Sequence, residues 1–228
     1  AHLFGGRTAM DPVFAVAERH RLLVVEDCAQ AFAGPEWRGD PRSDARLFSF
    51  GPIKTATALG GGVLFAKDPA LRERSRAIHG QWPSQGRIEH LARLLRFAAF
   101  KLLLSRRIYP RLVQLIHLSG RDHDTLVTGS ARSFRKGDFF ERIRRRPSAP
   151  LRFLVNERIE GYPLPRIRER AETGRRFADS LPAALPFGSR AGGHTHWILP
   201  VVSPNPERWR TRLFASGFDA ARAASSLT

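Results

Sequence analysis

Residues 22–62, LLVVEDCAQAFAGPEWRGDPRSDARLFSFGPIKTATALGGG, constrain the fold more than any other part of the chain. Leu22, Leu23, Val24 and Val25 form an apolar run with the length and β-branched content of a buried strand. Glu26 and Asp27 close that run at its carboxyl end, where ligands of open α/β sheets bind. A second run, Leu47-Phe48-Ser49-Phe50, leads through a Gly-Pro turn to Lys54 and then to Gly60-Gly61-Gly62. Lysine is scarce: Lys54, Lys67, Lys101 and Lys136 are the only four among 38 basic residues, so a lysine between a strand end and a glycine run reads as a placed amine. An amine that forms a Schiff base, with an acid for a pyridinium nitrogen, is how a protein holds pyridoxal phosphate (PLP).

At these residues the chain resembles a known family. Asp27-Cys28-Ala29-Gln30, followed by Ser49-Phe50-Gly51-Pro52-Ile53-Lys54, is similar to the cofactor signature of DegT/StrS-type sugar aminotransferases. The resemblance implies an α/β fold, the fold-type I PLP-transferase large domain: a mixed, mostly parallel sheet with helices on both faces, plus part of a small α/β domain. It implies that Asp27 partners the pyridine nitrogen, Gln30 contacts the phenolic oxygen, Ser49 binds the phosphate and Lys54 is the Schiff-base lysine. The activity implied is transfer of an amino group, from glutamate, to a nucleotide-linked keto-sugar in polysaccharide or secondary-metabolite sugar biosynthesis. It also implies a cytoplasmic homodimer. Lysine at position 54 argues for the aminotransferase branch, because relatives that dehydrate carry histidine there. Two departures stand out: Gly51 where many relatives have histidine, and an unfamiliar loop over residues 55–59.

Taken singly, each of these residues has a plainer reading. An acid after a strand is often a solvated end, and a lysine in a Gly-rich loop is usually surface charge. Cys28 reads as a small buried residue, with no histidine near it in sequence to make it a nucleophile.

In chain order, Asp11-Pro12 marks a helix start whose stripe is Val13, Phe14, Val16 and Ala17. Residues 62–66 read as a strand, and Asp68-Pro69 caps a helix to about His79 with Gly80 as its stop. Residues 89–118 are amphipathic, with Leu91, Leu94, Leu95, Ala98, Ala99, Leu102 and Leu103 on one broad face and Arg93, Arg96 and Lys101 on the rest. Such a face ordinarily packs into a core or a dimer, although a basic amphipathic helix can also lie on anionic lipid. Residues 132–146, RSFRKGDFFERIRRR, are a denser basic patch with interleaved phenylalanines. This patch and the helical segment before it give an alternative reading, a module for nucleic acid or anionic surfaces. A third reading is a truncated, non-catalytic remnant.

The expected organisation is residues 1–149 as the second half of the cofactor domain, including a helical basic segment over 88–149, and residues 150–228 as part of the small domain. Residues 196–202 read as a strand, and Asn205-Pro206 as the cap of a helix reaching Gly217. His194 and His196 would share one strand face, but no third metal ligand lies near them. The chain reads as cut at both ends, so weak cofactor binding and poor solubility are expected of residues 1–228 alone. The net charge of +17 over 228 residues fits either an anionic partner or a bias toward arginine codons. No apolar run approaches the roughly 18 residues of a membrane span.

Overall fold

The computed structural model describes residues 1–105, 107–111, 139–182, 186, 188, 191–218 and 220, without the side chains of 139 and 142. Three strands, β1 (Val25–Asp27), β2 (Ala45–Ser49) and β3 (Gly62–Ala66), form one mixed sheet in that order. β1 and β2 are parallel, with Asp27 opposite Leu47, and β2 and β3 are antiparallel, with Ser49 opposite Gly62. Helix α1 (Asp11–His20) precedes the sheet; α2 (Pro69–Gly80), α3 (Arg87–Leu103), α4 (Phe139–Ile143), α5 (Ala149–Glu160), α6 (Leu164–Ser180) and α7 (Pro206–Ala215) follow it.

Local signals fixed several boundaries. Asp68 accepts from the Ala70 N–H and Asn205 from the Arg208 N–H, each beside a proline at the start of its helix. β3 spans the five expected residues. α1 differs slightly: Asp11 lies inside the helix and Met10 holds the cap position without a side-chain bond. Gly80 is the last residue of α2, whose cap is Gln81.

The run at 22–25 behaves differently from expectation. β1 begins only at Val25, and Leu23 is 82% exposed whereas Val24 is buried. Alternation explains this, because successive side chains of an extended segment point to opposite faces and only one face here is covered. Val24 packs with Phe14 and Ala17 of α1, while Val13 and Val16 remain exposed. Glu26, in the middle of β1, faces inward and is buried.

The main core gathers around β2 and the segments that follow β1 and β2. Phe32, Phe48 and Phe50 meet edge to face around Cys28, Ala56 and Ala58, and Leu151 of α5 and Tyr162 close the cluster. The Tyr162 hydroxyl donates to the Phe32 carbonyl at 3.1 Å, satisfying a phenol that its burial would otherwise leave unpaired.

Three sequence expectations are corrected. Residues 196–202 are not a strand; among the described residues their ladder amounts to one bridge, Val201 to Pro186. His194 and His196 therefore do not share a strand face, and His196 takes a left-handed φ of 45° that brings the two rings into a stack 4.1 Å apart. The broad apolar face of α3 is not packed into the core of this chain, which corrects that half of the expectation: of its leucines only Leu94 is half-buried, and Leu91, Leu95, Leu102 and Leu103 are exposed. Most of the basic patch at 132–146 lies outside the described residues; its end forms α4 and the turn beyond.

Candidate functional site

The sequence of each segment brings Asp27, Gln30, Ser49 and Lys54 to one end of the sheet. Asp27 ends β1 and Ser49 ends β2, so the parallel pairing sets both at carboxyl termini of neighbouring strands. Past Ser49, the chain makes a closed loop. The Phe50 N–H donates to the Gly61 carbonyl at 3.0 Å, and the Phe50 carbonyl accepts from Ala58 and Gly60 at 2.9 and 3.0 Å. Gly61 reverses the chain at φ 80°, a conformation costly for any residue with a Cβ. Lys54 sits at the turn of this loop, its N–H bonded to the Gly51 carbonyl at 3.1 Å. A Cβ on Gly51 would lie 3.7 Å from the Ser49 hydroxyl and 3.9 Å from Cγ of Lys54, so the two side chains flank that glycine.

Lys54 is half-buried, and burial lowers its affinity for a proton; the nearby Asp27 carboxylate acts in the opposite sense. Asp27 is exposed and uses Oδ1 to accept from the Ala29 N–H at 2.9 Å. Gln30 Oε1 accepts from the Phe4 N–H at 3.0 Å, which leaves its amide NH₂ as the group to offer a ligand.

Two contributions were not legible in the sequence. The first is the amino-terminal segment. The His2 N–H donates to the Asp27 carbonyl at 2.9 Å, and the Phe4 bond fixes the Gln30 amide. Beneath them lies a buried polar hub. His2 Nδ1 accepts from the Thr8 N–H, so its proton is on Nε2, which donates to Glu26 Oε1 at 2.7 Å. The same carboxylate accepts from the Asp40 N–H at 2.8 Å and the Ser43 hydroxyl at 2.8 Å. It thereby pins residues 28–44, the connection between parallel strands, which contains no helix. His2, Glu26 and Cys28 each hold a possible metal-ligating atom within 4.8 Å of the others. The His2 and Glu26 atoms of that group are bonded to each other, and burial pushes the Cys28 thiol's pKa up, away from the thiolate a metal needs.

The second contribution is Trp197. Its ring centroid lies 5.7 Å from Lys54 Nζ. The contact exists because residues 195–198 bond to the amino-terminal segment: Thr195 N–H to Gly5 O at 2.9 Å and Ile198 N–H to Phe4 O at 3.3 Å. Gly5, at φ 95°, is required there, since a Cβ would fall 2.5 Å from the Thr195 hydroxyl. No periodicity announces such a contact.

A cleft of about 430 Å³ lies by the two histidines, lined also by Glu172, Arg175 and Gly193, and none of the four signature residues borders it. His194 accepts the His196 N–H through Nδ1 at 2.8 Å. Burial, followed by the neighbouring His196, pushes the His194 pKa down from 6.5 to about 4. Between those values the unfolded chain binds more protons than the folded one, so stability falls as pH drops through that window. His194→Asn, which keeps an acceptor but does not titrate there, should reduce the loss of Tm between about pH 7 and about pH 4.5. Circular dichroism melts at the two pH values measure this; an unchanged loss would remove His194 from the account.

Strand ends carrying an acid and a hydroxyl thus lie beside a loop that holds a half-buried amine. Residues 1–94 match the sequence model of the DegT/DnrJ/EryC1/StrS aminotransferase family. The chain is 43% identical over 88 residues to the erythromycin biosynthesis sensory transduction protein EryC1 of Saccharopolyspora erythraea, an alignment covering 37% of this chain and 24% of that protein. It is 38% identical over 87 residues to the UDP-N-acetyl-3-dehydro-alpha-D-glucosamine 3-aminotransferase of Acidithiobacillus ferrooxidans, covering 36% and 23%. The fold resembles the crystal structure of the sugar aminotransferase CalS13 from Micromonospora echinospora, with a TM-score of 0.54 and 20% identity over 94% of this chain and 50% of that one. The chain thus matches about a quarter of the length of these curated relatives and about half of that solved chain. The family is PLP-dependent. Among the described residues, no helix is long and apolar enough to cross a membrane.

Proposed function

We propose that this chain is part of an aminotransferase that moves the amino group of glutamate to the keto carbon of a nucleotide-linked sugar, working as a cytoplasmic homodimer. Residues 1–149 are assigned to its cofactor domain and residues 150–228 to its small domain. The observation that carries the reading is the half-buried Lys54 amine near the Asp27 carboxylate at the carboxyl ends of parallel strands. The 3-dehydro sugar in the name of the Acidithiobacillus relative supports the substrate class.

The donor set fits PLP. Among the described residues Ser49 makes no side-chain hydrogen bond, Gln30 has a free NH₂, and Asp27 presents a carboxylate oxygen beyond the one bonded to Ala29. When bound, PLP supplies an electron sink for the donor's α-carbon. Asp27 would hold the proton on the pyridine nitrogen, Gln30 would donate its amide N–H to the phenolic oxygen, and the Ser49 hydroxyl would donate to the phosphate. Lys54 Nζ would hold the cofactor and would be placed to take the proton from the donor's α-carbon. Burial favours that role, because a lowered proton affinity leaves more of the amine free near neutral pH. The Trp197 ring lies on one side of Nζ, with its centroid 5.7 Å away.

The test uses the native polypeptide that contains residues 1–228, loaded with PLP and given glutamate without sugar. The expected result is one equivalent of 2-oxoglutarate with conversion of the cofactor to its amine form. A cofactor that binds yet leaves glutamate unchanged would exclude this donor, and no cofactor binding would exclude the reading.

A further inference from the structure

We propose that the outward face of α3 docks on an anionic lipid bilayer. α3 is amphipathic in the opposite sense from a core helix. Its protein side carries His90, which is buried, with Arg93, Leu94, Phe97 and Phe100 half-buried. Arg93 fixes that orientation by donating from Nη1 to the Leu59 carbonyl at 3.3 Å, on the loop that bears Lys54. The other side is an uninterrupted apolar stripe. Ile88 is 84% exposed, Leu95 62% and Leu102 67%, with Leu91, Leu103 and small alanines between them. At 3.6 residues per turn these positions span a sector about 140° wide along a helix about 25 Å long. An apolar surface of this continuity on a soluble face marks an interaction site.

Charge selects the occupant. Arg87 and Lys101 border the stripe on one side and Arg96 on the other, and all three are exposed. Among the described residues none of them has an acidic partner. The only acid of α3, Glu89, is committed to Arg145 at 2.9 Å and Arg93 at 3.7 Å. An apolar sector with basic margins is the pattern of a helix lying in the bilayer interface, its stripe among the acyl chains and its cations at anionic headgroups. A second copy of the chain is a poorer partner, since it would set Arg87, Arg96 and Lys101 against their own counterparts in a protein of net charge +17.

The experiment is vesicle flotation of the native polypeptide that contains residues 1–228, with phosphatidylcholine alone and with about 30% phosphatidylglycerol, at low and high salt. Binding should require the anionic lipid and weaken with salt. Arg96→Ala and Lys101→Ala should each reduce the partition coefficient roughly fivefold. Leu95→Glu combined with Leu102→Glu should reduce it to background; both sites are exposed, and circular dichroism verifies that the fold is retained. A second measurement does not depend on those variants. Cys28 is fully buried, so a polarity-sensitive dye on Leu95→Cys reports that position alone and should shift to the blue on anionic vesicles. Three results would overturn the proposal: equal binding to both vesicle types, binding unaffected by the paired glutamates, or a dimer in solution that the glutamates split while vesicle binding persists.

Discussion

Replacing Lys54 by arginine should eliminate amino transfer by the native polypeptide while leaving its fold intact. Arginine keeps the positive charge beside Asp27 but its guanidinium neither forms the covalent link to a cofactor aldehyde nor releases a proton near neutral pH. Proton transfer by a placed group alone contributes about 10²–10⁴-fold, and covalent attachment adds to that, so the loss should be on the order of 10³-fold or more. The site tolerates the change sterically, because Lys54 is only half-buried and its turn is held by the backbone bond from its own N–H to the Gly51 carbonyl. Borohydride reduction of the unsubstituted protein with PLP, followed by peptide mapping, should place the pyridoxyl group on Lys54. A label on Lys67 or Lys101, or substantial transfer by Lys54→Arg, would show that the amine has been assigned to the wrong residue.

The largest effect on stability is expected at Glu26. Its carboxylate is the common acceptor for the His2 ring, the Asp40 N–H and the Ser43 hydroxyl, and Glu26, His2 and Ser43 are all buried. Glu26→Ala leaves these donors without a partner and opens a cavity. Each unsatisfied buried donor costs about 1–3 kcal/mol, and some relaxation will recover part of the sum, so the net loss should be about 3–5 kcal/mol. For a chain of this size that corresponds to a fall in Tm of roughly 10 °C or more. Ser43→Ala removes one of the donors and should cost only about 1 kcal/mol. The effect should also reach the site, since His2 bonds to the Asp27 carbonyl and Phe4 to Gln30. Thermal melts compare the two variants; equal, small losses would mean that the connection over residues 28–44 is held by its aromatic residues and not by Glu26.

The placement of Asp27, Gln30, Ser49 and Lys54 was readable because each residue sits on a local feature: a strand end, a turn, or a loop closed by glycine. The caps of α2 and α7 were readable for the same reason, since Asp68 and Asn205 bond within three residues of themselves. Glu26 was not. Beside Asp27 it looks like half of a solvated acidic pair, and only strand alternation together with the distant His2, Asp40 and Ser43 makes it the buried member. Residues 196–202 failed for a related reason. Their apolar, β-branched composition favours a strand, but the bonds that Thr195 and Ile198 make to the amino-terminal segment draw the chain into an irregular path instead.

By itself, then, the sequence determined that Asp27, Ser49 and Lys54 fall at strand ends and on the loop beyond, and where most helices begin, because those depend on short-range backbone geometry and on spacing along one chain. Tertiary structure alone decided that Glu26 is a structural hub, that Trp197 lies beside Lys54, and which way α3 faces. Periodicity reveals that a helix has an apolar side, but it holds no information about the direction of the core. That direction was set by Arg93 reaching the Leu59 carbonyl and by His90 burying beneath the helix, contacts that turn the leucines of α3 outward.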